Sequence, residues 1–540
     1  MSYTSLNFLL FVSITVLAYF LFPLKKQKWT VLLAASYVFY LFAGYKYVAF
    51  IVFTTLSTFL IGLWLEKVTA KSKNNIKLHK AEWSREDKKK YKEKIKKQKR
   101  IILALALVLN FGILALLKYY NFFAGSLNDV FGSWGMEFSA PTLKLFLPLG
   151  ISFYTFQSMG YIVDVYREKT PAQHNPFKFA LFVAFFPQII QGPIGIYDDL
   201  AHQLFEPHDF DFTCFKHALE LILWGLVKKM VFADTAVIAI NNVTSDYNSY
   251  GGTALTFTII LYAFQLYADF SGGIDISRGV AQIFGIDMME NFKRPYFSKD
   301  INEYWRRWHI SLGNWFKNYL FYPLAMSSLF INTSKKIKST KFGSTVAGAH
   351  IAKVLPTSIA SFVVFFIVGV WHGASWKYVG FGVWNGGIIM ISVLMKPVFE
   401  WCHKKLHINP KSAPYTVFQI LRTFIVILVG YVFDVAPSFT QAMRTFWLFF
   451  TDQSISTGLS EISTLGLVGN QYVLLSLGAV FIFIISVIQE RHDKTTIRDM
   501  LDQKPFILRW FAMFVGIMLV VSLGVYGSGF DAADFVYMQF

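Results

Sequence analysis

The sequence predicts an all-α, polytopic integral membrane protein, and three observations carry that expectation. Hydrophobic residues make up 54% of the 540-residue chain. Charged residues make up only 16%, against roughly 25% in soluble domains. Apolar segments of about the length needed to cross a bilayer recur from one end of the chain to the other. This composition excludes disordered, collagen-like and disulfide-scaffold classes. Cys214 and Cys402 are too few for a zinc site of their own or a disulfide framework, and no metal site is expected.

The first apolar segment, Leu6–Phe22, has no basic residues before it; Lys25, Lys26 and Lys28 follow it instead. It reads as a retained span with its N-terminus outside, not as a cleaved signal. Trp29–Phe42 returns outward and Tyr47–Leu65 comes back in. That brings residues 67–100, with 15 Lys/Arg against four acidic residues, to the same side as Lys25–Lys28. Basic loops stay in the cytoplasm, so both clusters are expected there. The 67–100 segment reads as a solvated linker that touches anionic headgroups rather than nucleic acid. Ile101–Leu117 then crosses outward and Leu143–Val165 crosses back. Further apolar segments lie at 177–196, 215–240, 254–285, 355–371, 376–396, 416–435, 472–488 and 510–526. Several are short or interrupted, so the expectation is about 10–12 spans with some re-entrant. The lysine-bearing segment 332–353 is expected on the cytoplasmic side. No internal repeat is evident, which argues against a transporter built from duplicated halves.

Pro148-Leu-Gly150, Phe186-Pro187-Gln188 and Gln191-Gly192-Pro193 put helix breakers inside apolar runs. Irregular backbone at membrane depth survives only where protein buries it or a cavity needs it. The chain therefore divides into N-terminal spans with the basic loop (1–142), a functional core (143–396), and C-terminal spans and tail (397–540).

Three stretches of that core carry polar groups that a membrane makes costly. Asp269 and Asp275 flank Ser271-Gly272-Gly273. Two carboxylates there could form an acid/base pair or hold a cation, or they could cap the ends of a helix broken at the glycines or pair with an arginine. In Asn302–Phe316, helical spacing puts Trp305, Trp308, His309, Leu312 and Phe316 on one apolar face, and Glu303 is spaced to pair with Arg306 or Arg307. The stretch reads as a continuous amphipathic helix with His309 turned inward, as a core histidine or a functional one. In Phe365–Gly373, His372 ends an apolar run. It could serve as a base near neutral pH or be satisfied by a backbone carbonyl at the helix end.

These stretches, in this order, resemble the membrane-bound O-acyltransferase family, and most closely its bacterial polysaccharide branch. The resembling residues are Leu147–Gln157, Phe186-Pro-Gln with Gln191-Gly-Pro193, Asp269-Phe-Ser-Gly272, Glu290–Tyr296, Trp305–Leu312 and Trp371-His-Gly-Ala374. Ser5-Leu-Asn-Phe-Leu and Phe535–Phe540 at the two ends are similar as well. The chain departs from the branch at Phe270-Ser-Gly-Gly-Ile-Asp275 and at Pro323–Ser328, where the branch has a different tail and a glycine-rich stretch. Those changes bear on the acceptor or partner.

The resemblance implies helices around a central tunnel and acyl transfer, usually from acetyl-CoA as donor substrate with no resident cofactor. Its two histidines fall on His372, the expected base, and His309. With such a donor, Arg306, Arg307 and Lys317 are expected to meet the CoA phosphates, since guanidinium forks suit phosphate oxygens, or else to pair with Glu303 and touch headgroups. Trp305, Trp371, Asp269, Ser271, Gln157 and Asn291 are the other expected substrate-binding residues. The implied setting is the cell (plasma or inner) membrane. The implied partners are acetyl-CoA, an extracytoplasmic polysaccharide and a secreted or membrane-anchored acetyltransferase. Alternatives are D-alanyl transfer to teichoic acid from a carrier protein and, from a different class, glycan export.

Overall fold

A computed structural model of the chain describes residues 2–136 and 138–526, so the Phe535–Phe540 stretch lies outside the described residues. It is all-helical: the only β-pairing among the described residues is an isolated bridge between Phe292 and Trp308. Among the described residues, eight helices are long and apolar enough to cross a membrane. Leu6–Leu21 and the broken Pro176–Ile189 are apolar but shorter. The chain is thus a multi-pass membrane protein. Among the described residues fewer helices reach full crossing length than the 10–12 expected, since some apolar runs are short, broken at a proline or interrupted by a π-helical turn. The 177–196 segment splits into Pro176–Ala184 and Phe186–Ile189. The 215–240 segment becomes Phe212–Leu226, a π-helical turn Val227–Ala233, and Asp234–Ser245.

The chain divides into two compact units. The first comprises Met1–Ile222 and Ser277–Met289; the second comprises Leu223–Ile276 and Glu290–Phe540.

Within the first unit, the expected basic linker is helix almost throughout. Val48–Leu78 runs on past its apolar part, and Arg85–Ser133, 49 residues long, starts in the lysine-rich stretch. Lysine and glutamate are good helix formers. The Ser84 hydroxyl and the Asp87 carboxylate form a reciprocal cap at the second helix's start. The result is a helical hairpin whose short turn spans only residues 79–84. It packs against helix Ile151–Tyr166.

In the second unit, helix Gly252–Ile283 passes through Ser271-Gly272-Gly273 without a break, contrary to the capping role considered for Asp269 and Asp275. What they meet is a pair of lysines. Lys229 Nζ lies 2.5 Å from Asp269 and 2.8 Å from Asp234, and Lys228 Nζ lies 2.7 Å from Asp275 and 2.8 Å from the Ser271 hydroxyl. Gly225 and Gly272 allow this approach, since a Cβ on Gly225 would sit 2.6 Å from the Gly272 carbonyl. Lys229 and both of its carboxylates are buried, and Lys228 is buried against a partly exposed Asp275, so each buried charge depends on its partner.

The helices Val346–His372 and Trp376–Leu394 form a tight pair that fixes where His372 stands. Glycines allow their backbones to touch, as small residues do in membrane helix pairs. A Cβ on Gly369 would lie 2.4 Å from the Tyr378 carbonyl and 2.7 Å from Gly382 Cα. Gly369→Ala is therefore expected to cost about 1–3 kcal/mol. The check is a lowered melting temperature of the detergent-solubilised protein; an unchanged one would mean the helices do not meet there.

Candidate active site

The stretch Asn302–Phe316 is not the single helix that its periodicity suggests. Asp300 caps a short helix, Ile301–Arg307, by accepting from the Glu303 amide at 2.8 Å. Trp308 is extended, and His309 has φ +47°, the left-handed region, before Ile310–Phe316 resumes as helix. The reason lies in Asn291–Lys293, which runs antiparallel to the break. The Lys293 amide donates to the Arg307 carbonyl at 2.9 Å and the Ile310 amide to the Asn291 carbonyl at 3.0 Å. A left-handed histidine costs about 1–3 kcal/mol, and such strain collects at functional sites. Trp308, Leu312 and Phe316 are nonetheless buried, as the apolar-face reading expects.

The break turns His309 into the protein, where it is 3% exposed. Its Nδ1 lies 3.2 Å from Asn291 Oδ1, and the Ser311 amide donates to that same oxygen at 2.9 Å. A backbone amide can only donate, so the Asn291 atom is its oxygen and His309 Nδ1 carries the hydrogen. The neutral ring then presents a lone pair at Nε2, an acceptor rather than a donor. Burial, and then the neighbouring His372, lower its affinity for a proton, which keeps it neutral.

His372 belongs to the same cluster. The His309 ring packs 4.9 Å edge-on to Phe270 and 6.4 Å from Trp371, whose neighbour His372 lies 5.1 Å from Phe381. Trp305 packs on Phe365 at 5.0 Å and on Phe381 at 6.3 Å. Histidines 63 positions apart in sequence thus share one aromatic-walled site. Nearby, Trp305 Nε1, Asn291 Nδ2 and Ser311 Oγ are buried without a hydrogen-bond partner among the described residues. Buried donors normally find an acceptor. These three are available to a polar group of a bound molecule.

Hydroxyl contacts hold the short helix in place. Tyr304 OH lies 2.7 Å from Tyr431 OH, and Tyr296 OH donates to the Ala263 carbonyl at 2.6 Å. On its other side, Arg307 bonds Glu303 at 2.7 Å and Glu490 at 2.9 Å, and Arg294 bonds Glu490 at 2.6 Å.

The residues singled out in the sequence therefore divide. His309, His372, Trp305, Trp371 and Asn291 come together. Asp269 and Ser271 flank Phe270 on its helix but are held by Lys229 and Lys228. Arg307 is held by two carboxylates, whereas Arg306 and Lys317 are exposed. Gln157 belongs to the first unit, where its amide donates to the Phe182 carbonyl at 2.6 Å. Sequence reasoning missed Ser311, Glu490, and Lys228 and Lys229. Two adjacent lysines inside the apolar run 215–240 were a readable sign of buried partners.

A multi-pass helical membrane protein with two histidines in a buried, aromatic-walled site is the class in question. The profile of the MBOAT, membrane-bound O-acyltransferase family matches residues 167–340. The chain belongs to that family. Among its relatives, a probable alginate O-acetylase AlgI of Pseudomonas aeruginosa is 33% identical over 369 residues, 68% of this chain and 64% of the relative. Its counterpart in Pseudomonas syringae pv. tomato is 31% identical over 457 residues, 84% of this chain and 76% of the relative. A peptidoglycan O-acetyltransferase of Helicobacter pylori is 29% identical over 480 residues, 82% of this chain and 78% of the relative. These likenesses set the chain beside the bacterial polysaccharide O-acetylases.

The role of Asn291 can be tested directly. Asn291→Ala removes the acceptor that orients His309 and leaves the Ser311 amide unpaired, so turnover is expected to fall on the order of 10²-fold. The KM for the acyl donor should change little. The check is initial-rate kinetics on purified protein; unchanged turnover would remove His309 orientation from the account.

Proposed function

We propose that this protein moves an acetyl group from cytoplasmic acetyl-CoA to a hydroxyl of an extracytoplasmic polysaccharide, directly or through a partner acetyltransferase. It would do so in the plasma (inner) membrane with the lysine-rich hairpin facing the cytoplasm. The observation that carries the reading is the convergence of His309 and His372 on one buried site beside three unused hydrogen-bond donors. The names of the relatives, acetylases of alginate and of peptidoglycan, support a glycan acceptor.

In this reading His372 removes the proton of the attacking hydroxyl as its oxygen bonds to the thioester carbonyl carbon. Standing at the carbonyl end of its helix, His372 is well placed to bear the resulting positive charge. The carbonyl oxygen takes on negative charge, and the Trp305, Asn291 and Ser311 donors suit it. His309 could serve that task or orient the acceptor, and its tautomer favours the second. With Nδ1–H given to Asn291, Nε2 accepts a hydrogen bond from a hydroxyl of the acceptor. The carbon–sulfur bond then breaks, and the proton on His372 passes to the departing thiolate. Burial keeps water from the thioester. With Arg307 held by Glu303 and Glu490, exposed Arg306 and Lys317 are the better placed to meet the CoA phosphates.

The test is to incubate membranes carrying the protein, with and without the cell's envelope acetyltransferases, with radiolabelled acetyl-CoA. Thioester consumption with label passing to glycan or to a partner protein is expected. No consumption under either condition would overturn the enzyme reading in favour of export.

A further inference from the structure

We infer that the lysine-rich hairpin of the first unit holds the phosphate of an anionic bilayer phospholipid in a defined cleft. The cleft, about 580 Å³, is lined by residues of Val48–Leu78 and Arg85–Ser133 together with Tyr166 and Glu168. Five lysines line it, Lys73, Lys88, Lys92, Lys96 and Lys99, against the single carboxylate of Glu168. Glu168 is already shared by Lys73 at 2.9 Å and Lys99 at 2.8 Å. Lys88, Lys92 and Lys96 have no ion-pair partner among the described residues, and they repeat every four positions on one helix face. Like charges at that spacing repel one another and weaken a helix. They also border a second, smaller depression with Arg85 and Lys89. A helix face built this way is relieved by an anion that the protein itself does not supply.

The depth of the cleft identifies the source of that anion. Lys99 and Arg100 stand immediately before the apolar run that begins at Ile101, and Tyr166 ends helix Ile151–Tyr166. Lys99 Nζ lies 5.4 Å over the Tyr166 ring. Lysine beside tyrosine at the end of apolar segments marks the headgroup level of a bilayer. Ile76 and Ile95 give the cleft apolar walls next to its lysines, which suits a phosphodiester carrying acyl chains better than a fully solvated phosphate. This site is separate from the histidine pair and does not depend on the acetyl-transfer reading.

The test uses full-length protein in nanodiscs of phosphatidylcholine doped with labelled phosphatidylglycerol, with lipid retained on the protein measured by native mass spectrometry. Wild-type protein should retain phosphatidylglycerol over phosphatidylcholine. The triple substitution Lys88→Gln, Lys92→Gln, Lys96→Gln should reduce that preference about tenfold. A second triple, Lys90→Gln, Lys94→Gln, Lys97→Gln, makes the same charge change outside the cleft and should leave it intact. Equal retention by all three proteins, or equal loss in both triples, would overturn the site. Displacement of the lipid by millimolar pyrophosphate or adenosine 3′,5′-bisphosphate would overturn the lipid as its occupant in favour of a soluble phosphate ligand.

Discussion

His372→Ala is expected to abolish the proposed acetyl transfer while the protein still inserts and folds. His372 is only half-buried, at a helix end, and its ring packs on Phe381 and the neighbouring Trp371. Removing it therefore vacates space at a site rather than in the core, and the helix pair held by Gly369 and Gly382 remains. The loss should appear in the chemical step, at about 10²–10⁴-fold for a general base. His309→Ala should also inactivate, but with a larger cost in stability, because it strips a bonded, fully buried ring from its place beside Phe270. His407→Ala, at an exposed histidine, is the control and should retain activity. The comparison is made on membranes with matched amounts of folded protein, verified by gel filtration in detergent. Retained acetylation in His372→Ala would remove it from the chemistry.

Lys229→Met should be the most damaging change outside that site. Its ammonium group bridges Asp234 and Asp269, both almost fully buried. Without it two buried carboxylates face each other without the cation they share. Breaking a buried pair from one side costs about 3–5 kcal/mol, close to the whole stability of many domains. The variant should fail to accumulate as monodisperse protein. Combining it with Asp234→Asn and Asp269→Asn removes the stranded charges and should restore much of the yield. A well-behaved single variant, or no recovery in the triple, would show that the ion pairs do not hold Val227–Ala233 to helix Gly252–Ile283.

Most of the fold and the two histidines were legible in the sequence, and the failures have specific physical causes. Hydropathy located the spans because an apolar run has few alternatives in a membrane. The hairpin was misread as a linker because charge density suggested solvent. Its helix propensity and the Ser84-x-x-Asp87 cap pointed the other way. Periodicity placed the buried residues around His309 correctly but could not reveal its left-handed backbone. That conformation is imposed by Asn291–Lys293, a tertiary partner invisible to local pattern. The same holds for Asp269, whose partner Lys229 lies 40 residues away. The pairing of Asn291 with His309 appears only once both strands of that bridge are seen together, and it decides which nitrogen of the imidazole can accept.

The central claim is that this chain passes an acetyl group from acetyl-CoA on the side of the lysine-rich hairpin to an acceptor on the other. The direct measurement uses sealed membrane vesicles of known orientation, with the envelope glycan and its acetyltransferases present, and radiolabelled acetyl-CoA supplied to one face only. Label supplied to the hairpin's face should appear as alkali-labile acetyl ester on glycan at the opposite face, and label supplied to the opposite face should not be used. Glycan labelling that is equal from either face, or absent from both while the protein is folded, would contradict the account.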